Sequence, residues 1–239
     1  MSERKTERRL AAILAADVVG YSRLVGEGEE GTLERLKVLR RTVADPKIKE
    51  HRGRVGKAVD LARQVLQVAG DDPGILANAA FVLANFGEDI GAMMAVVDLA
   101  LALTPSFSRD WFLAGVLRLW AGQHHLAIEH AETALRLSPR ERTGTPLSLI
   151  GEAYFFKREF DEAAAKLRLS VQENPGYPHS DRVLAACYAH LGRLDEARAV
   201  IARLRSITPR LVPSASQLRS PADRELFLSG LCEAVGEPG

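Results

Sequence analysis

The rhythm of apolar residues changes once along this chain. Residues 9–19 are apolar almost without interruption and close on Asp17-Val18-Val19, which predicts a buried strand. Gly20-Tyr21-Ser22 turns the chain. From Glu29 to Ala44, Leu33, Leu36, Val38, Leu39 and Val43 fall largely at helical spacing, and Asp45-Pro46 ends that helix because the residue before a proline is pushed out of the helical region. From about Val59 onward the apolar positions keep a helical period to the end of the chain. The seam between the two rhythms lies near Lys57.

Prolines punctuate the second part. Pro73, Pro105, Pro139, Pro175 and Pro209 are spaced by 32, 34, 36 and 34 residues. Residues 108–141 contain Trp111, Gly115, Ala127 and Pro139. Residues 144–177 contain Leu147, Gly151, Tyr154, Ala163 and Pro175, and residues 178–211 contain Leu184, Tyr188, Ala197 and Pro209. This arrangement resembles tetratricopeptide (TPR) repeats, in which each unit is a pair of antiparallel helices. Small residues at the eighth and twentieth positions let the helices of a pair approach closely, and the proline follows a second helix that it cannot continue. Residues 74–107 form a degenerate unit that keeps Ala77, Ala80, Ala84, Ala100 and Pro105, and residues 59–72 read as a second helix of an earlier one. Asp161-Glu162 and Asp195-Glu196 open second helices, where acids suit the positive helix end. Ser220 is the expected N-cap, and Pro221 the first residue, of a final helix covering the last repeat.

In a solenoid of this kind the first helices line an inner face, through positions 2, 5, 9, 12 and 13 of each unit. These are Arg109, Phe112, Val116, Leu119 and Trp120, then Ser148, Glu152, Phe155 and Phe156, then Arg182, Ala186 and His190. One expectation is a groove that holds an extended peptide or a helix on aromatic anchors. The other is that several of these residues pack against a neighbouring unit or the N-terminal segment. The basic and Asn clamp by which some such repeats hold a peptide carboxylate is not in place.

The order of residues in the first part adds a second resemblance. Ala16-Asp17-Val18-Val19-Gly20-Tyr21-Ser22, then Glu29-Glu30-Gly31-Thr32, then Asp45-Pro46 and His51-Arg52-Gly53-Arg54 resemble the opening of bacterial class III adenylate/guanylate cyclases. The repeats likewise resemble those that end some cyclase-family proteins. The resemblance implies that Asp17 is one of two carboxylates holding Mg²⁺ over a triphosphate, for attack of a ribose 3′-hydroxyl on the α-phosphate. The family's second metal Asp would follow the His-Arg-Gly stretch in a Gly-Asp-Gly turn. Here Lys57-Ala58-Val59-Asp60-Leu61 runs into a helix, and Asp60 is a poor substitute. The base-reading and transition-state residues have no equivalents, so no catalytic set is complete. Loss of such ligands costs orders of magnitude in rate. No cofactor is required on this reading, and Mg²⁺ would bind only at Asp17 as a residue of cyclase-type nucleotide binding. The gap at the seam fits a selected truncation and an internal deletion or join equally.

Composition narrows the remaining classes. Of 239 residues, 46% are apolar and 26% charged, as in a soluble globular protein. Residues 1–57 hold 14 Lys/Arg against 9 Asp/Glu, and the rest hold 18 against 22. The N-terminal positives alternate with Glu27, Glu29, Glu30 and Glu34, the pattern of a solvated helix face, so no nucleic-acid partner is expected. Cys187 and Cys232 are too few for a disulfide framework. No apolar run reaches the roughly 18 residues of a membrane span, and residues 10–16 lack a signal-peptide cleavage pattern, which points to a cytoplasmic protein without a membrane partner. His124, His125 and His130 lack an acid or Cys to complete a zinc site, and Gly26-x-Gly28 is no phosphate loop.

The expectation is mainly all-α: a truncated cyclase-like α/β fragment of one strand and one helix at 1–57, a solenoid of about four helix-hairpin repeats at 58–211, and a capping helix and tail at 212–239. Its function would be a protein-interaction module in a cyclase-type cyclic-nucleotide signalling context, catalytically inactive or regulatory. The groove would take a protein or peptide, and residues 9–57 would pair with an intact cyclase subunit. The alternative is an adenylate cyclase by lineage, converting ATP to cyclic AMP and pyrophosphate.

Overall fold

Helical periodicity and regularly spaced breakers fold into helices joined by tight turns. The computed structural model describes residues 55–68, 72–140 and 143–236. The expected strand at 9–19, the helix at 29–44 and Asp17 lie outside the described residues. Ten helices and no strand occur among the described residues. The chain divides into two compact units, Met1–Glu88 and Asp89–Gly239, and the division falls inside the expected repeat 74–107.

In the first unit, α1 (Val55–Val68) packs on α2 (Pro73–Asn85). Helix α1 starts at Val55, four residues before the expected position, so Lys57 at the seam is itself helical. Asp60 is exposed on α1 and pairs with Arg63 at 3.4 Å. It stands on a helix and not in a hairpin turn, and it faces a cation, so it does not fit as a second Mg²⁺ ligand. Asp72 caps α2 by accepting from Ile75 N–H at 3.2 Å, and Pro73 occupies its first turn. Pro73 therefore begins a helix, unlike Pro105, Pro139, Pro175 and Pro209, which follow one.

The second unit holds α3 (Ile90–Leu103) and three hairpins: α4 (Ser108–Trp120) with α5 (His124–Leu137), α6 (Gly144–Phe156) with α7 (Phe160–Glu173), and α8 (Pro178–His190) with α9 (Leu194–Ile207). Helix α10 (Pro221–Val235) follows. Close approach within the hairpins rests on the small residues. A Cβ on Gly151 would lie 2.6 Å from Leu167 Cγ and 3.2 Å from the Ala163 carbonyl. Ala127, Ala163 and Ala197 are fully buried at the facing position. A hydroxyl ladder joins the second and third hairpins: Ser170 donates to Gly144 O at 2.6 Å, Ser180 lies 2.8 Å from Ser170, and Ser180 donates to Ser148 at 3.0 Å.

The first helices end alike. After α4, Gly122 N–H donates to Leu119 O and Gln123 N–H to Arg118 O, and the same pair of bonds recurs after α6 and α8. This Schellman turn needs a left-handed residue, supplied by Gly122 (φ 81°) and Gly192 (φ 71°) but by Arg158 (φ 63°) after α6. A residue with a Cβ carries a steric cost there. Arg158→Gly is therefore expected to stabilise the second unit by about 1 kcal/mol, read as a higher midpoint in urea with an unchanged slope.

Candidate protein-interaction groove

Helices α4, α6 and α8 adjoin one another in the second unit and present the positions expected to form a groove. Arg109, Phe112 and Val116 on α4 are half-buried. Leu119 and Trp120 at its end are buried, as are Ser148, Glu152, Phe155 and Phe156 on α6 and Ala186 on α8. Arg182 and His190 are half-buried on α8. Phe155 lies between Phe156, Phe160 and His190, with ring centroids 5.4, 5.5 and 5.6 Å away, so it ties α6 to the start of α7 and the end of α8. Leu119 and Phe155 are thus core side chains.

Much of the rest is occupied by the chain itself. Beyond α9, residues 208–220 cross to the end of α4, and α10 then runs back mainly along α8, touching α9 and α6. Arg182 holds the crossing segment by its main chain, donating from Nε to Leu211 O at 2.9 Å and from Nη2 to Arg210 O at 2.6 Å. Arg219 N–H donates to Trp120 O at 2.8 Å. Ser220 caps α10 as the sequence predicts, accepting from Asp223 N–H at 3.2 Å. Asp223 meets His124 at 2.9 Å, and the His124 ring stacks on Phe156 at 5.4 Å. At the far end His190 Nε2 lies 2.8 Å from Leu226 O. A carbonyl only accepts, so the proton is on Nε2. Helix α10 crosses α8 at Gly230, where a Cβ would lie 2.6 Å from His190 Nε2 and 2.9 Å from Ala186 O. Ala215, Leu218, Phe227 and Leu231 of the same segment are all buried.

The floor carries one buried acid with a partner. Glu152 accepts from His179 at 2.7 Å, and the His179 ring sits between Tyr177 and Phe227 at 5.9 and 6.3 Å. His124 and Asp223 fall outside the positions that repeat spacing picks out, whereas His179 is position 2 of the unit 178–211, though it is missing from the groove set named from the sequence. Asp223 reads in sequence only as an acid in a first helical turn, and its meeting with His124 joins residues 99 apart.

Other polar side chains are spoken for by packing. The His130 ring meets Trp111 edge-on at 5.0 Å, and burial together with the Arg118 charge pushes it down to about 4, so it is neutral. His124 and His125 open α5. No group of three His, Cys, Asp or Glu able to hold a metal occurs among the described residues. Cys187 is fully buried, donates to Phe160 O at 2.9 Å, and is pushed up to about 12 by burial. A thiol without thiolate is a poor nucleophile. Titration with a thiol reagent at pH 8 is expected to label the half-exposed Cys232 promptly and Cys187 only after denaturation.

The model of a family described as tetratricopeptide repeat matches residues 155–220, from the end of α6 into the crossing segment. Residues 155–220 thus match a tetratricopeptide repeat. Among solved structures, the thermophilic TPR protein TTC0263 from Thermus thermophilus superposes with a TM-score of 0.61 at 21% identity, covering 80% of this chain and 98% of that one. MamA from Desulfovibrio magneticus RS-1 gives 0.55 at 18% identity, covering 71% and 93%. Both share the repeat fold. A protein of Rhizobium meliloti (strain 1021) named "Putative adenylate cyclase 3" is 47% identical over 57 residues, which span 24% of this chain but 10% of that relative. No helix among the described residues is long and apolar enough to cross a membrane.

Proposed function

We propose that the chain is a protein-interaction module whose tetratricopeptide repeats hold a polypeptide on the inner face of α4, α6 and α8. The observation that carries this reading is that the face already holds one. Arg182, His190 and the Trp120 carbonyl each engage main-chain groups of the crossing segment and α10. Main-chain recognition suits a peptide or helical partner, with apolar side chains giving specificity. Half-buried Arg109, Phe112 and Val116, away from the end of α4 where the segment lands, extend the face toward a second protein.

The setting proposed is cytoplasmic cyclic-nucleotide signalling, supported by the short match to the Rhizobium relative and by the order of residues 16–54. Residues 9–57 would pair with an intact cyclase subunit, and Asp17 would remain a Mg²⁺ ligand.

A photo-crosslinking residue at position 112, in the full chain expressed in its host, tests the module. A discrete adduct that is lost when Arg109→Glu is added supports it; the absence of any adduct with another protein overturns it. ATP turnover with Mg²⁺ and with Mn²⁺, against Asp17→Ala, tests the enzyme alternative. Cyclic AMP formed by the parent chain and lost in Asp17→Ala would establish it.

A further inference from the structure

We propose that residues 208–236 are a displaceable ligand of the groove supplied by the chain itself, and that the partner displacing them is a capped amphipathic helix of the same chemistry. This rests on the interaction-module reading and adds its regulation and the class of its partner.

Three observations point the same way. First, the segment is held as a ligand is held. Its contacts are main-chain groups at Arg210, Leu211, Arg219 and Leu226, one acid against one histidine, and a strip of apolar side chains. Second, the repeats close without it. Each hairpin has its own Gly or Ala approach, and the second and third share the serine ladder, none of which involves a residue beyond 207. Third, the connection is non-helical and carries a left-handed residue with a side chain, buried Ala215 at φ 50°. Docking thus holds the backbone in a conformation that an undocked connection would leave.

The docked helix also describes its competitor. Along α10 the groove meets Asp223 after the Ser220 cap, Leu226 and Phe227 one turn later, and Gly230 and Leu231 a turn beyond. Spacings of 3, 4, 7 and 8 from Asp223 lie on one helical face. The acid answers His124, Phe227 of the large pair faces the His179 ring, and the small residue permits the crossing at Ala186 and His190. A partner helix needs an acid in its first turn, a large apolar pair, and Gly or Ala one turn on. Tethering gives the resident helix a high effective concentration, so a free helix sees only the undocked fraction of the groove.

The test uses the full chain and a fluorescein-labelled synthetic peptide of residues 208–236. Gly230→Gln keeps α10 helical but places a side chain where α8 backbone already stands. Fluorescence anisotropy is expected to show the variant binding the peptide about tenfold or more tighter than the parent chain, and neither chain binding a peptide that itself carries Gly230→Gln. Equal binding of the normal peptide by parent and variant, or binding by neither, would overturn the proposal. Hydrogen exchange on the parent chain gives an independent reading that needs no variant to fold. Amides of 226–234 are expected to exchange through an opening that leaves α6 and α8 protected. Exchange of α10 only together with α6 and α8 would make the segment a fixed part of the fold. That result, with a crosslink from position 112, would sink displacement and spare the module; no crosslink, even with a freely opening α10, would sink the module and with it the displacing partner.

Discussion

Phe155→Ala is expected to lower the stability of the second unit by about 3–5 kcal/mol, the range for deleting a fully buried aromatic ring. The side chain has 0% exposure, and three rings from three helical segments surround it. Its removal leaves a void that the backbone cannot close, because Gly151 and the serine ladder already hold α6, α7 and α8 at minimum separation. Unfolding in urea should show the full loss in the midpoint at unchanged slope. Leu169→Ala provides the contrast. Leu169 is as apolar but 46% exposed, and its loss should fall within about 0.5 kcal/mol. A cost below about 1 kcal/mol for Phe155→Ala would mean that the hairpins slide to refill the space. The effect should reach the groove as well. His190, which holds Leu226 O, rests against both Phe155 and Phe160.

What was legible in the sequence was what short range decides. The hairpins at 108–141, 144–177 and 178–211 follow from small residues eight and twenty positions into each unit, acids at helix starts, and prolines after second helices. Each is a local steric or electrostatic rule that the structure keeps. The Ser220 cap is legible for the same reason. Where α10 goes is not, because its anchors are distant: Asp223 finds His124, and Leu226 finds His190. Spacing also marks a helical face without saying how deep it sits. Leu119 and Phe155 share the periodic positions of Phe112 and His190 yet lie in the core, since the end of a first helix is covered by the hairpin that follows. Arg158 is a local rule broken, an arginine where glycine fits the turn. Its cost is small enough for the fold to carry.

Arg203→Ala is expected to cost about 3 kcal/mol at pH 7, because it strands a buried carboxylate. Asp181 is fully buried in the first turn of α8 and receives Arg203 of α9; its second oxygen has no partner. Burial pushes the Asp181 carboxyl above its ordinary value, against the pull of the hydrogen bond and charge of Arg203. The sign follows from linkage. A group whose folded value is raised binds its proton more tightly in the folded state, so its contribution is most favourable below the unfolded value and declines as pH rises through the folded one. Removing Arg203 removes that opposing pull and leaves burial to act alone. The penalty of Arg203→Ala should therefore be largest at neutral pH and shrink as acid protonates Asp181, and Asp181→Asn in the same chain should abolish the pH dependence of the difference. Denaturation midpoints at pH 7 and pH 4 for parent, single and double variants decide it; a penalty independent of pH would place the loss in packing of the Arg203 stem. The same pair bears on binding. It fixes the turn of α8 from which His179 and Arg182 reach Glu152 and the carbonyls of 210 and 211. If the groove works as proposed, loosening that turn should also speed hydrogen exchange in α10 ahead of α6.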